Sequence, residues 1–150
     1  MAEISAFLES GLRVTISSDR HTWYADEPVS AGGEDSGPTP YEMLLGSLAA
    51  CTALTLRLYA DRKQIPLTWV KAVYEFDRVH MEDCEQCEEA DTGMIDRIQT
   101  AVSLSGTFTE EQRERLEQVV SRCPVHKTLT HGMQIFDRVT FINGNSTGLD

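Results

Sequence analysis

After Pro40 the apolar residues change period, and this change constrains the fold more than any other feature of the chain. Leu44, Leu48, Cys51, Thr55 and Leu58 recur at steps of four, three, four and three, along one face of a helix. Ala49, Ala50, Leu54 and Leu56 make the rest mostly apolar, so the spacing predicts a helix buried nearly all round. Arg62 and Lys63 suit its negative C-terminal end, and Pro66 stops it. At about 22 residues it would be roughly 33 Å long. A helix of that length in a small domain needs cover on several sides, which sheets wrapped around it would supply.

The flanking segments read mainly as strands. Residues 3–8 and 11–17 alternate loosely about Gly11, the pattern of a hairpin, and residues 20–26 add a third strand. Ser30 to Pro40, rich in Gly, Pro and acids, reads as an irregular loop. In residues 67–79, Val70, Ala72, Tyr74 and Phe76 share one face of a strand. An acidic loop over 80–93 and a strand over 94–104 follow. Thr109 and Gln112 form a capping box that starts a helix running to about Cys123, with Leu116, Val119, Val120 and Cys123 on its apolar face. Pro124 ends it, and residues 132–142 alternate as a final strand. Strands, long helix, strands, helix and strand make an α+β class in one domain over residues 1–150.

The net charge of -11 argues against nucleic acid and anionic membrane as partners. The N-terminal MAEISAFLES lacks the basic and apolar regions of a signal peptide. No apolar stretch is read as reaching the roughly 18 residues of a membrane span. A cytoplasmic location is therefore expected, with the four cysteines as reduced thiols.

Cys51 and Cys123 lie on apolar helix faces that must both look into the core. Buried free cysteines often serve as small hydrophobes, which is one reading of the pair. The other is chemical: a thiolate attacks a peroxide O–O bond, becomes a sulfenic acid, and condenses with a second thiol to a disulfide. Cys51 sits well inside its helix and gains little from the macrodipole, so a reactive Cys51 needs a nearby cation. Cys123 sits at the negative end of its helix, which disfavours a thiolate. The asymmetry suits Cys51 as attacker and Cys123 as resolver without establishing either role.

The stretch GPTPYEMLLGSLAAC (37–51), continued by TALTLRLYADRK (52–63), resembles the central helix of the OsmC/Ohr family. RCPVHKTL (122–129) resembles that family's second cysteine segment, and the pair marks a divergent OsmC-like subgroup. The resemblance implies an intertwined homodimer whose sheets wrap the central helices. It implies reduction of hydroperoxides, preferably organic, through an attacking and a resolving cysteine, with a dithiol as reductant and no cofactor. It also implies an Arg held against the attacking thiolate by a Glu that directly follows the helix-starting proline. Here Tyr41 follows Pro40 and the acid comes next, at Glu42. One helical step rotates a side chain by about 100°, so either an irregular first turn lets Glu42 still turn inward as a candidate catalytic residue, or Tyr41 takes the family's Glu position and offers only a hydroxyl; the second is expected. Cys51 is then expected to keep a pKa near the free value of about 8.5. Arg13 and Arg20 are the N-terminal candidates for the thiolate's partner.

Further residues admit two readings each. His80, Cys84 and Cys87 have the spacing of zinc ligands, of a redox pair, or of ordinary thiols in a solvated loop, and no metal is favoured. His126 is either a proton relay beside Cys123 or a histidine packed at a helix end. Arg57 points elsewhere on the helix from Cys51 and reads as ion-paired or snorkelling. The rival to an enzyme is a non-catalytic protein that holds a small ligand or lipid and whose cysteines are incidental. Close sulfurs with a guanidinium at Cys51 favour the enzyme, and distant sulfurs without one favour the binder.

Overall fold

The computed structural model describes residues 3–80 and 93–142; of Val79, His80 and Met94 it describes only the backbone. Strands β1 (Ser5–Phe7), β2 (Val14–Ser17) and β3 (Thr22–Ala25) form an antiparallel sheet in that order. Helix α1 spans Pro40–Lys63. Strands β4 (Leu67–His80) and β5 (Met94–Gly106) pair antiparallel, with Tyr74 opposite Thr100 and Asp77 opposite Arg97. Helices α2 (Glu110–Val120) and α3 (Pro124–His131) follow. The α+β class expected from the sequence is the class observed.

Asp26 organises the entry to α1. Its buried carboxylate accepts the N–H groups of Glu27, Glu34 and Ser36 and the Ser36 hydroxyl, at 2.8, 3.3, 3.1 and 2.6 Å. Those bonds, the Ser36 hydroxyl foremost, hold its pKa down at about 2. The loop folds tightly enough that a Cβ on Gly33 would stand 1.9 Å from the Glu27 carbonyl oxygen. The chain then enters α1 through a capping box: Thr39 Oγ1 accepts the Glu42 N–H at 3.3 Å, and the Glu42 carboxylate accepts the Thr39 N–H at 2.7 Å. Pro40 at the first helical position loses nothing by lacking an N–H.

The core lies between α1, α2 and the β4–β5 pair, where Leu56, Ala60, Ile65, Leu67, Leu116 and Val119 are buried together. On β4, the inward face carries Val70, Ala72, Tyr74 and Phe76, as the alternation predicts. Arg57 turns away from the core and donates to the carbonyls of Leu67 and Thr68 at 2.6 and 2.9 Å, with Asp61 at 3.7 Å. This is the paired state expected for it.

Three expectations are corrected. First, α1 is not buried all round within one chain: Leu48, Thr52, Leu56 and Ala60 form the buried row, while Leu54 and Leu58 are 61% and 62% exposed. β4, α2 and α3 cover only part of the helix. Second, residues 132–142 form no strand. Their alternation is real, but no sheet edge of the same chain pairs with them, and Ile135, Phe136 and Phe141 stand 74%, 87% and 93% exposed. Third, α1 is long enough to cross a membrane and, over 18 residues, has a mean hydropathy of 1.4, which passes the test for a span. Its buried row against β4 and α2 is what a core helix has.

Candidate functional site

Two helix ends and one helix middle bring Cys51 and Cys123 together. α2 stops at Val120, a turn follows, and Cys123 becomes the N-cap of α3 with Pro124 at the first helical position. The first backbone bond of α3 runs from the Lys127 N–H to the Cys123 carbonyl, 3.1 Å. Cys123 is fully buried and faces the middle of α1, where Cys51 is partly buried; both are free thiols.

The two thiols lie close enough to shift one another's titration. At Cys123 the backbone N–H groups of His126 and Val125, at the start of α3, and Thr52 favour the thiolate form. Cys51 has the Val125 N–H and the Thr55 hydroxyl. Burial pushes both thiols up, and at Cys51 it prevails, helped by the hydrogen bond to Cys123 and by that neighbour's charge, so the Cys51 pKa is raised. At Cys123 burial is outweighed by Cys51, His126, Thr52 and Val125, and the pKa is lowered.

This reverses the sign expected for Cys123. Read as the C-terminus of α2, it would meet carbonyl oxygens. As the N-cap of α3, it meets free N–H groups and the positive end of a dipole. Pro124 carried both messages, since proline stops one helix and starts the next equally well.

The remaining candidates lie elsewhere or act differently. Glu42 is held by Thr39 in the capping box, and that backbone bond lowers its pKa. It precedes Cys51 by nine residues, about 14 Å along the helix axis. Tyr41 is half exposed, and its ring stacks on Phe76 with centroids 4.6 Å apart. The Arg13 guanidinium lies over the Tyr24 ring at 4.0 Å, and Arg20 sits exposed in the turn between β2 and β3. The groups that shift the Cys51 thiol include none of these four. His126 contributes its backbone N–H to Cys123. Its side chain lines a cavity of about 270 Å³ with Leu48, Tyr74, Ile98, Thr100 and Leu129. Cys84 and Cys87 lie outside the described residues, so the zinc, redox and solvated-loop readings gain nothing here.

Sequence reasoning missed Thr52 and Tyr74. Thr52 is fully buried on α1, and its Oγ1 is 2.8 Å from the Tyr74 Oη. A hydroxyl in the buried row of an otherwise apolar helix was the available signal, because a buried polar group must find a partner.

A sequence comparison with curated proteins finds no match. Solved structures do match in fold. An OsmC like protein from Mycoplasma pneumoniae is 25% identical, with a TM-score of 0.63 over 87% of each chain. An organic hydroperoxide resistance protein OsmC from Legionella pneumophila is 16% identical, with a TM-score of 0.61 over 86% of this chain and 88% of that one. The organic hydroperoxide resistance protein of Bacillus subtilis is 20% identical, with a TM-score of 0.56 over 85% and 89%. The family model described as OsmC-like protein matches residues 33–136, which span α1, both long strands and both cysteine segments, and the chain belongs to the OsmC-like family.

Proposed function

We propose that this protein is a thiol-dependent hydroperoxide reductase in which Cys51 attacks and Cys123 resolves. The observation that carries the reading is the proximity of the two thiols, which lie close enough to shift one another's titration. Cys51 is the more accessible of the two, as an attacking atom must be. As Cys51 attacks the terminal peroxide oxygen, its proton passes to Cys123, the O–O bond breaks, and the alkoxide leaves as the alcohol after taking a proton. Cys51 is then a sulfenic acid. The Cys123 thiolate attacks that sulfur, an S–S bond forms, the S–O bond breaks, and the hydroxide leaves as water once protonated. A dithiol reduces the disulfide. The net change is two thiols and ROOH to a disulfide, ROH and water. Leu48, Ile98 and Leu129, among the residues lining the cavity that His126 borders, support an organic R group.

Two of the solved relatives carry organic hydroperoxide resistance in their names, which supports the same reading. The proximity of the thiols favours the enzyme over the ligand-binding alternative, whose cysteines have no reason to meet. The working unit in this reading is a homodimer: the exposed Leu54 and Leu58 and the apolar alternation of 132–142 are surfaces that a second copy would cover. The test is consumption of cumene hydroperoxide with a dithiol reductant. Wild type should turn over and Cys51→Ser should not; equal rates eliminate Cys51 as the attacking residue.

A further inference from the structure

We infer that His126 is a catalytic residue, the acid that protonates the leaving oxygen of the hydroperoxide. The inference rests on the reductase reading above, in which the departing alkoxide takes a proton from a donor not yet assigned.

The cavity of about 270 Å³ has one end beside the cysteines, and His126 stands at that end. Leu48 lines it from α1, three residues before Cys51 and so on the neighbouring turn. Tyr74 lines it from β4, and its Oη is 2.8 Å from Oγ1 of Thr52, which adjoins Cys51 on the helix. On α3, Cys123 is the N-cap and His126 belongs to the first turn, whereas Leu129 and Thr130 line the wall one turn further away. Displacement on a peroxide puts the attacking sulfur, the oxygen attacked and the leaving oxygen nearly in line. The leaving oxygen carries R. With R among Leu48, Ile98 and Leu129, that oxygen lies between R and the cysteines, against the His126 ring.

The other polar groups of the wall have no proton to give. Both Asp96 oxygens accept from Arg78, at 2.7 and 3.4 Å, so Asp96 is half of a neutral ion pair and not an acid. The Thr130 hydroxyl donates to the carbonyls of His126 and Lys127, at 3.0 and 3.3 Å. The Tyr74 hydroxyl is engaged with Thr52. Thr100 can offer a hydrogen bond, but giving up its proton would only exchange one alkoxide for another. An imidazolium gives up a proton and becomes a stable neutral ring.

The protons balance. As Cys51 attacks, the S–O bond forms and the O–O bond breaks. The leaving oxygen takes the ring proton of His126 and departs as ROH, while the oxygen on sulfur keeps its own hydrogen as the sulfenic acid. The neutral imidazole then takes the Cys123 proton. The Cys123 thiolate attacks the Cys51 sulfur, and the departing hydroxide takes that proton back from the ring as water. Reduction by the dithiol returns two thiols, and transfer of the Cys123 proton to the imidazole restores the starting state.

Two oxidants that differ in leaving group test the role. Cumene hydroperoxide expels an alkoxide, which needs a proton; peracetic acid expels acetate, which does not. Each full-length protein, reduced beforehand, is mixed with either oxidant at pH 7, and oxidation of Cys51 is followed by rapid quenching and peptide mass spectrometry. His126→Gln should slow the cumene hydroperoxide reaction about a hundredfold and the peracetic acid reaction less than about threefold. In His126→Ala, free imidazole in the buffer should restore part of the rate with cumene hydroperoxide and leave that with peracetic acid unchanged. Equal slowing toward both oxidants overturns the inference, since the histidine would then serve the thiol or the fold. An unchanged cumene hydroperoxide rate in His126→Gln overturns it and leaves the reductase standing. A wild-type protein inert toward cumene hydroperoxide removes the proposed activity and this role together.

Discussion

Replacing Cys123 should make Cys51 more reactive, although it removes half of the pair. An ordinary thiol with a pKa of about 8.5 is about 3% thiolate at pH 7. Cys51 should show less than that, because burial raises its pKa and the hydrogen bond and charge of Cys123 raise it further. Substitution by serine removes the thiol charge outright and puts a weaker acceptor in place of a thiolate. The burial of Cys51 by the surrounding helices remains. The Cys51 midpoint should therefore move down in Cys123→Ser, with faster alkylation at pH 7, but not as far as a site with a guanidinium would. The assay is iodoacetamide labelling between pH 6 and 10, with the Cys51 peptide followed by mass spectrometry. In wild type the thiols titrate as a coupled pair, so the first proton lost belongs to both and its charge resides mainly on Cys123. A wild-type Cys51 midpoint below about 6 would refute the reasoning, because only a strong cation at the sulfur produces it. An upward shift in Cys123→Ser would refute the effect assigned to Cys123.

Asp26 should give the fold an acid-sensitive entry to α1. Its pKa of about 2 lies below the ordinary 3.8, so its contribution is complete above 3.8 and is lost as pH falls toward 2. Urea midpoints between pH 5 and 2 should fall less steeply for Asp26→Asn than for wild type, and parallel curves would contradict the role given to the carboxylate. Leu56, with no exposed surface, should cost about 2–5 kcal/mol of stability as Leu56→Ala in equilibrium denaturation. Leu54→Gln with Leu58→Gln alters side chains that are 61% and 62% exposed in one chain. Light scattering should give twice 16.8 kDa for wild type and a smaller mass for this pair; an unchanged dimer would place the interface elsewhere.

α1 was legible because the apolar period changes after Pro40 and because Arg62, Lys63 and Pro66 mark its stop; the Thr39–Glu42 capping box at its start went unread. Its buried face was not legible. The sequence reading chose Leu44, Leu48, Cys51, Thr55 and Leu58, whereas the chain buries Leu48, Thr52, Leu56 and Ala60. A helix that is apolar on most sides has no strong period to reveal which side meets the sheet. The segment 132–142 shows the opposite limit. Its alternation marks residues suited to a strand, but a strand exists only where an edge accepts its hydrogen bonds, and sequence periodicity carries no information about edges. α3 was hidden by Pro124, whose helix-stopping role masked its helix-starting one.

The cysteine pair was visible because both residues sit among apolar neighbours, yet the electrostatics came out reversed, and the reversal bears on how such a pair can work. An attacking cysteine with a raised pKa looks poorly prepared if taken alone. Taken with Cys123 it has beside it a second thiol whose thiolate is favoured. The arrangement also anticipates the second step. Once Cys51 is oxidised to a sulfenic acid, its thiol no longer acts on Cys123. The His126 N–H, the Val125 N–H and Thr52 still do, because none of them depends on the oxidation state of Cys51. Cys123 therefore keeps enough support to become a thiolate again at the moment its nucleophilicity is needed. A guanidinium beside Cys51 would favour the first step alone; the groups gathered around Cys123 favour the second, in which its thiolate attacks.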